Sequence, residues 1–288
     1  MTERERDALT GTETTGHEWD GIKELNTPLP RWWLWTFYGT IVFAVIYTIL
    51  YPSWPLISSA TSGVLGYSSR AELDKELEAA KTAQGAMLAK VTATPVADIL
   101  ADPELTRFAR AGGQSMFKVY CSQCHGTGAA GAKGYPNLND DEWIWGGSID
   151  QIATTITYGA RAPGVDETHF NMMPAFGKDG ILPPDQIATV AKEVASFSGI
   201  EGGASTPEGQ QIFADNCVAC HGEGGQGNIE LGGPSLNDKV WLYDGSLAGI
   251  EAQLESPRHG VMPAWGVRLG DTAVKELAVY VHGLGGGQ

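Results

Sequence analysis

The sequence predicts a mainly helical protein: one membrane-spanning helix followed by two tandem helical domains related by duplication. Three observations predict it. A run of mainly apolar residues extends from Trp32 to Tyr51, and no charged residue occurs between Arg31 and Arg70. A pentapeptide with two cysteines three apart and a trailing histidine occurs twice, as Cys121-Ser-Gln-Cys124-His125 and as Cys217-Val-Ala-Cys220-His221. The residues flanking one copy match those flanking the other far beyond the pentapeptide.

These features divide the chain into a polar N-terminal tail (1–31), an anchor (32–57), a linker (58–101) and two domains (102–200 and 201–288). A chain of 288 residues is long enough for about two domains of ordinary size. The tail is rich in Thr and Glu and has no sustained apolar period, which predicts a mobile segment. The next twenty residues are long and apolar enough to cross a bilayer core as one helix, with Trp32, Trp33 and Trp35 at one end and Tyr51 and Trp54 at the other, where aromatic belts are expected. A cleaved signal peptide has a shorter apolar core and a basic leader; here the leader is long and acidic, so the span is read as retained. Arg4, Arg6, Lys23 and Arg31 precede it and the first base after it is Arg70, a bias that predicts a cytoplasmic N-terminus and, in a Gram-negative cell, periplasmic domains in the inner membrane. The span holds no histidine or carboxylate, so it offers no metal ligand and no proton relay.

Beyond the turn-rich stretch 52–67, Ala71 to Val91 predicts an amphipathic helix weakened by Gly85, with Leu73, Leu77, Ala80, Met87 and Val91 toward one face. Pro95 and Pro103 punctuate the approach to the first domain.

Cysteines three apart on one helical turn face the same way, so two thioether bonds can fasten the two vinyl groups of one haem while the adjacent histidine reaches its iron. A CxxC pair alone also suits a redox dithiol, and two pairs suit one four-sulfur zinc centre. A histidine directly after both pairs has no use in either and favours haem. The four cysteines are the only ones in the chain, predicting two covalently attached haem c groups held by Cys121, Cys124 and His125 and by Cys217, Cys220 and His221. A porphyrin would supply much of the core that a small domain lacks.

The repeat extends both ways. Gly113-Gln114 with Phe117 and Gly209-Gln210 with Phe213 stand eight residues ahead of each motif, the glycine predicting a close helix crossing and the phenylalanine filling the space beside it. Downstream, Pro136 matches Pro234, Asp140 matches Asp238, Trp143 matches Trp241, and Gly147-Ser148 matches Gly245-Ser246. Each repeat reaches a methionine before proline, Met173-Pro174-Ala and Met262-Pro263-Ala. A thioether is a soft neutral donor that completes the iron's coordination and raises its potential, so Met173 is predicted to pair with His125 and Met262 with His221. In the first repeat, aligning His169 with His259 would select Met172 instead, and His169 is itself a competent ligand. Each repeat closes with a helix, Pro184 to Phe197 and Thr272 to Leu284, expected to pack inside its own domain.

Two such domains resemble class I cytochromes c. The resemblance implies that the carbonyls of Pro136 and Pro234 accept the ring N–H of His125 and His221, and that Arg161 and Arg258 meet haem propionates. More narrowly, the run from Gly134 through Trp143 to Gly147 and the run Met172-Met-Pro-Ala-Phe-Gly177, together with the anchor, resemble the dihaem subunit of cbb3-type oxidases. That resemblance implies a membrane-anchored electron relay: a donor cytochrome c, soluble or membrane-bound, gives electrons to the two haems, and a monohaem subunit carries them to the haem-copper subunit that reduces oxygen. A six-coordinate iron offers no open site, so the subunit is expected to have no catalytic site of its own. The alternatives are a dihaem carrier for another membrane dehydrogenase or reductase and a five-coordinate haem sensor. The excess of 34 acids over 19 bases argues against nucleic acid and for a basic donor, and residues 201–288, with 11 acids and 4 bases, are the most acidic third.

Overall fold

The computed structural model describes residues 5–287 and divides them into two compact units, 1–83 and 84–288. In the N-terminal unit the segment expected to be mobile is instead a hairpin. Strand β1 (Thr14–Trp19) pairs antiparallel with β2 (Ile22–Leu25), Trp19 opposite Ile22. Asp20 and Gly21 between them both take positive φ (50° and 84°), the geometry of a tight two-residue hairpin turn, for which Asp-Gly is the favoured pair. Helix α1 (Arg31–Leu50) follows. It is 20 residues long with a mean hydropathy of 1.7, and none of its side chains is buried. The helix stops before Pro52, so residues 51–57 of the predicted anchor lie beyond it, in turns. Further along the same loop, Gly63 lies against the Leu50 carbonyl with φ 69°.

Helix α2 (Ser69–Ala93) runs unbroken through Gly85. Only the far end of its predicted apolar face is covered: Val91 is buried and Met87 is partly so, whereas Leu73 and Leu77 remain exposed. The short α3 (Val96–Ile99) leads to α4 (Pro103–Tyr120), which Asp102 caps by accepting from the Glu104 and Leu105 N–H groups, with Pro103 at the first helical position. Then come the single-turn α5 (Ser122–His125), α6 (Ile149–Tyr158) with a capping box between Ser148 and Gln151, and α7 (Pro184–Phe197). The second repeat supplies α8 (Pro207–Asn216), the single-turn α9 (Val218–His221), α10 (Leu247–Glu255), α11 (Gly266–Leu269) and α12 (Asp271–His282).

The helices form two cores, and the chain crosses between them. Closing helix α12 touches α11 of its own repeat but packs mainly on the other one. Its Val274, Leu277, Tyr280 and Val281 join Leu105, Ala109 and Phe117 of α4 and Ile149, Ile152 and Ile156 of α6. Helix α7 reciprocates: Ile187, Val190 and Val194 pack with Ile212 and Phe213 of α8 and Ile250 and Leu254 of α10. The predicted glycine crossings are therefore real but are made with the other repeat. A side chain at Gly113 would strike the Glu276 carbonyl and Tyr280, and one at Gly209 would touch Glu193. Phe117 meets Tyr280 with ring centroids 5.3 Å apart, and Phe213 meets Phe197 at 5.0 Å. The crossover is tied by backbone bonds. Ala160 and Met262 exchange both N–H···O bonds (3.0 and 2.9 Å), and Trp265 N–H donates to Ile156 O (3.0 Å). Gly177 N–H donates to Leu254 O (3.3 Å) in the second core.

Candidate functional site

Both pentapeptides fold as predicted. Each begins where a longer helix ends: Cys121 N–H still donates to Phe117 O and Cys217 N–H to Phe213 O, and one further turn carries the second cysteine and the histidine. His125 N–H returns to Cys121 O (3.0 Å) and His221 N–H to Cys217 O (2.9 Å), so both cysteines and the histidine of each motif share a single turn. Gly126 and Gly222 end these turns with φ of 80° and 76°.

The imidazoles are aimed alike. Nδ1 of His125 lies 2.9 Å from Pro136 O, and Nδ1 of His221 lies 2.9 Å from Pro234 O. Each carbonyl fixes the ring's tautomer and orientation, leaving Nε2 as the free donor atom. Burial holds both histidines below their ordinary pKa, hence in the neutral form that binds a metal. Burial also pushes the Cys121 and Cys217 thiols up to about 11, away from the thiolate that a reactive dithiol uses. A thioether carries no such charge. Among the described residues no group of three or more His, Cys, Asp or Glu is arranged to hold a metal ion by itself.

The methionines are exchanged along with the helices. A cavity lined by Cys217, Cys220 and His221 is closed by Met173 and Phe176 of the first repeat, and Met173 packs against the α7–α8–α10 core. Met262 packs instead against the other core, as Cys121 and Trp265 also do. Met173 thus shares a cavity with His221 of the second repeat, not with His125 as sequence order suggested, and Met262 joins the core of the first repeat. The reason is continuity. Met173 and Met262 immediately precede the segments 174–182 and 263–270 that lead into α7 and α12, and those helices have crossed.

The rival ligands of the first repeat are placed as well. Met172 borders the same cavity but is half exposed. His169 is engaged elsewhere, stacked on Trp145 at 4.2 Å and 9°, with Nε2 3.1 Å from the Thr155 hydroxyl. Both arginines border the cavity around His221, although the sequence assigned one to each domain. Arg161 takes a left-handed φ of 54°, donates from Nε to Gly260 O (2.6 Å) and from a terminal nitrogen to Asn171 O (3.1 Å), and so links the repeats. Arg258 lies 4.4 Å over the Tyr243 ring and donates from Nε to Gln253 (3.3 Å). An apolar, aromatic-walled cavity with a neutral imidazole, two cysteines, a facing thioether and two cations at its edge fits a covalently held haem with anionic propionates.

Sequence reasoning missed two buried acids at matching repeat positions, Glu193 and Glu276, each beside the glycine crossing. Glu193 accepts from the Ser205 hydroxyl (2.9 Å) and Thr206 N–H (3.1 Å), whereas burial pushes Glu276 up to about 7. Their shared place in the two closing helices was the available signal.

Comparison with known proteins bears on the same residues. The model described as cytochrome c oxidase, cbb3-type, subunit III matches residues 109–192 and again 204–281, and the model of the N-terminal domain of cytochrome oxidase-cbb3, FixP, matches residues 11–58. The chain is 54% identical over 286 residues to the cbb3-type cytochrome c oxidase subunit FixP of Bradyrhizobium diazoefficiens, covering 99% of this chain and 98% of that one. It is 52% identical to the subunit FixP of Sinorhizobium medicae (98% and 97% covered) and 49% identical to the subunit CcoP of Cereibacter sphaeroides (96% and 95% covered).

Proposed function

Since the chain belongs to the cbb3-type cytochrome c oxidase subunit III family, we propose that it is the membrane-anchored electron relay of such an oxidase, carrying two covalent haem c groups. The observation that carries this reading is the duplicated cysteine–histidine turn, each with its imidazole held by a proline carbonyl, the second sharing its cavity with Met173 of the first repeat.

When bound, the haems supply a one-electron iron couple that changes charge with little movement of its surroundings. The chain does the rest. Cys121 with Cys124 and Cys217 with Cys220 form the thioethers. His125 and His221 coordinate through Nε2, their Nδ1 protons resting on Pro136 O and Pro234 O. Met262 completes the site begun by His125, and Met173, rather than Met172 or His169, completes the site begun by His221. Arg161 and Arg258 hold propionates of the second haem. With His125 and Met262 holding one haem and His221 and Met173 the other, neither site would admit a substrate, and oxygen reduction would belong to the haem-copper subunit.

Helix α1 anchors the chain in the inner membrane, and the basic residues ahead of it place the N-terminus in the cytoplasm and the haem domains in the periplasm. A donor cytochrome c, basic enough to meet the acidic last third, delivers the electron, and the monohaem subunit receives it on the way to the catalytic subunit. The experiment is purification of the tagged full-length chain from its native membrane. Two haem adducts on the peptides carrying the four cysteines, together with a co-purifying haem-copper oxidase, are expected. Co-purification with a dehydrogenase would replace the oxidase by another complex. Ready carbon monoxide binding by the reduced chain at neutral pH would make one site five-coordinate.

A further inference from the structure

The two histidine-bearing turns share a wall. A cavity of about 330 Å³ is bounded by Pro136 on one side and Pro234 on the other, the residues whose carbonyls accept from His125 and His221. Two carboxyl groups from opposite repeats, Glu142 and Asp238, meet in this cavity within hydrogen-bonding reach. Asp238 is aimed by its own loop: Oδ1 accepts from Val240 N–H at 2.7 Å, which leaves Oδ2 buried with no donor among the described residues. Two carboxylates can satisfy each other only by holding a proton between them.

The groups facing the pair do not supply that positive charge. Asp140 and Asp141 precede Glu142 on its loop and repel it, and Tyr135 and Tyr243 line the cavity without bringing a cation. Lys133 lines the cavity but lies 3.7 Å from Asp244, which neutralises it, and Lys239, next to Asp238 in the chain, is exposed. Desolvation, then the Asp238 charge, holds the Glu142 carboxyl above its ordinary range.

We infer that Glu142 and Asp238 form a proton-binding site linked to the oxidation state of the haems, so that the relay takes up a proton between its two repeats as it is reduced. The inference rests on the haem reading above. An electron arriving from the donor removes one positive charge from an iron, and a proton from solvent then joins the pair, turning two facing carboxylates into a carboxylic acid hydrogen-bonded to a carboxylate. Reoxidation restores the charge and expels the proton. Since reduction favours protonation, the midpoint potential falls as pH rises through the pair's titration range, which desolvation moves above that of an ordinary carboxyl group.

The test is an optical redox titration of the purified full chain across pH, with reduced-minus-oxidised infrared spectra, for the wild type, Glu142→Gln and Asp238→Asn. Asp238→Asn keeps an oxygen for the Val240 N–H, so one variant reports if the other misfolds. In the wild type we expect the midpoint to shift downward with pH over that range and a protonated-carboxyl band to grow on reduction. Both are lost in either variant while the haem spectra are unchanged, and Glu142→Asp restores them in part. An equal pH shift in wild type and both variants, or none in the wild type, with two haems attached, overturns the inference alone. Absence of covalent haem overturns the haem reading and this inference with it.

Discussion

The segments Cys121–Met173 and Cys217–Met262 are copies as sequence but do not each form one site. In the first core the cysteine turn of the first repeat is covered by Met262 and α12, which come from the far end of the chain. In the second, the cysteine turn of the second repeat is covered by Met173 and α7, which precede it. The comparison teaches that a duplication makes interfaces interchangeable: a helix that packs on Gly113 and Phe117 packs as well on Gly209 and Phe213, and geometry outside the interface decides which it meets.

The largest effect should come from breaking the long-range half of this exchange. Truncation after Gly270 removes α12 and uncovers Leu105, Ala109 and Phe117. With about 1.5–3 kcal/mol lost for each large apolar side chain returned to water, the first core should unfold, although its cysteine turn is intact. Limited proteolysis and the visible spectrum should show loss at His125 while the His221 site survives. Next in size is the ligand exchange. Removing Cys217 and Cys220 by alanine leaves one attached haem. In that background M262A should convert it to a high-spin, carbon monoxide-binding form, and M173A should leave it low-spin; the reverse result would restore the sequence-order pairing.

The two glycine crossings differ in tightness, which sharpens the comparison further. Gly113 has no room for a Cβ against the Glu276 backbone, so G113A should cost about 1–3 kcal/mol, read as a lowered unfolding midpoint. At Gly209 the nearest atom would be the Glu193 Cβ at 3.1 Å, a neighbour that can give way, so G209A should cost less. The smallest effect separates the two buried acids. Burial raises Glu276 from 4.5 to about 7, so its contribution to stability is fully present below about 4.5 and is lost as pH rises through about 7. E276Q should therefore flatten that fall and stabilise the first core by on the order of 1 kcal/mol at pH 8, in thermal melts across pH. Glu193, held by Ser205 and Thr206, should show the opposite response to removal: E193Q weakens its hydrogen bonds to those groups and destabilises.

Much of this was legible along the chain because it is local chemistry. One helical turn suffices to align Cys121, Cys124 and His125, and an uncharged apolar run is enough to mark α1. The hairpin ahead of α1 was equally local, signalled by Asp20-Gly21, but its polar faces hid it from a search for apolar period. Gly113 and Gly209 announced close crossings without saying with what. The composition of α7 and α12 could not choose, since the two helices carry the same kind of face and the same buried acid. One further clue was available: residues 198–206 form a short connection, and helices so joined are usually antiparallel neighbours, which places α7 on α8.

The sequence by itself marked where a haem can be attached, since two cysteines and the adjacent histidine are set within five residues. Only the tertiary structure decided which methionine faces which histidine, that both arginines border one cavity, and that Glu142 meets Asp238. Those are contacts between duplicated parts, whose side chains suit either partner, and the choice between them is made by chain connectivity and by the room available where α4 crosses α12 and α7 crosses α8.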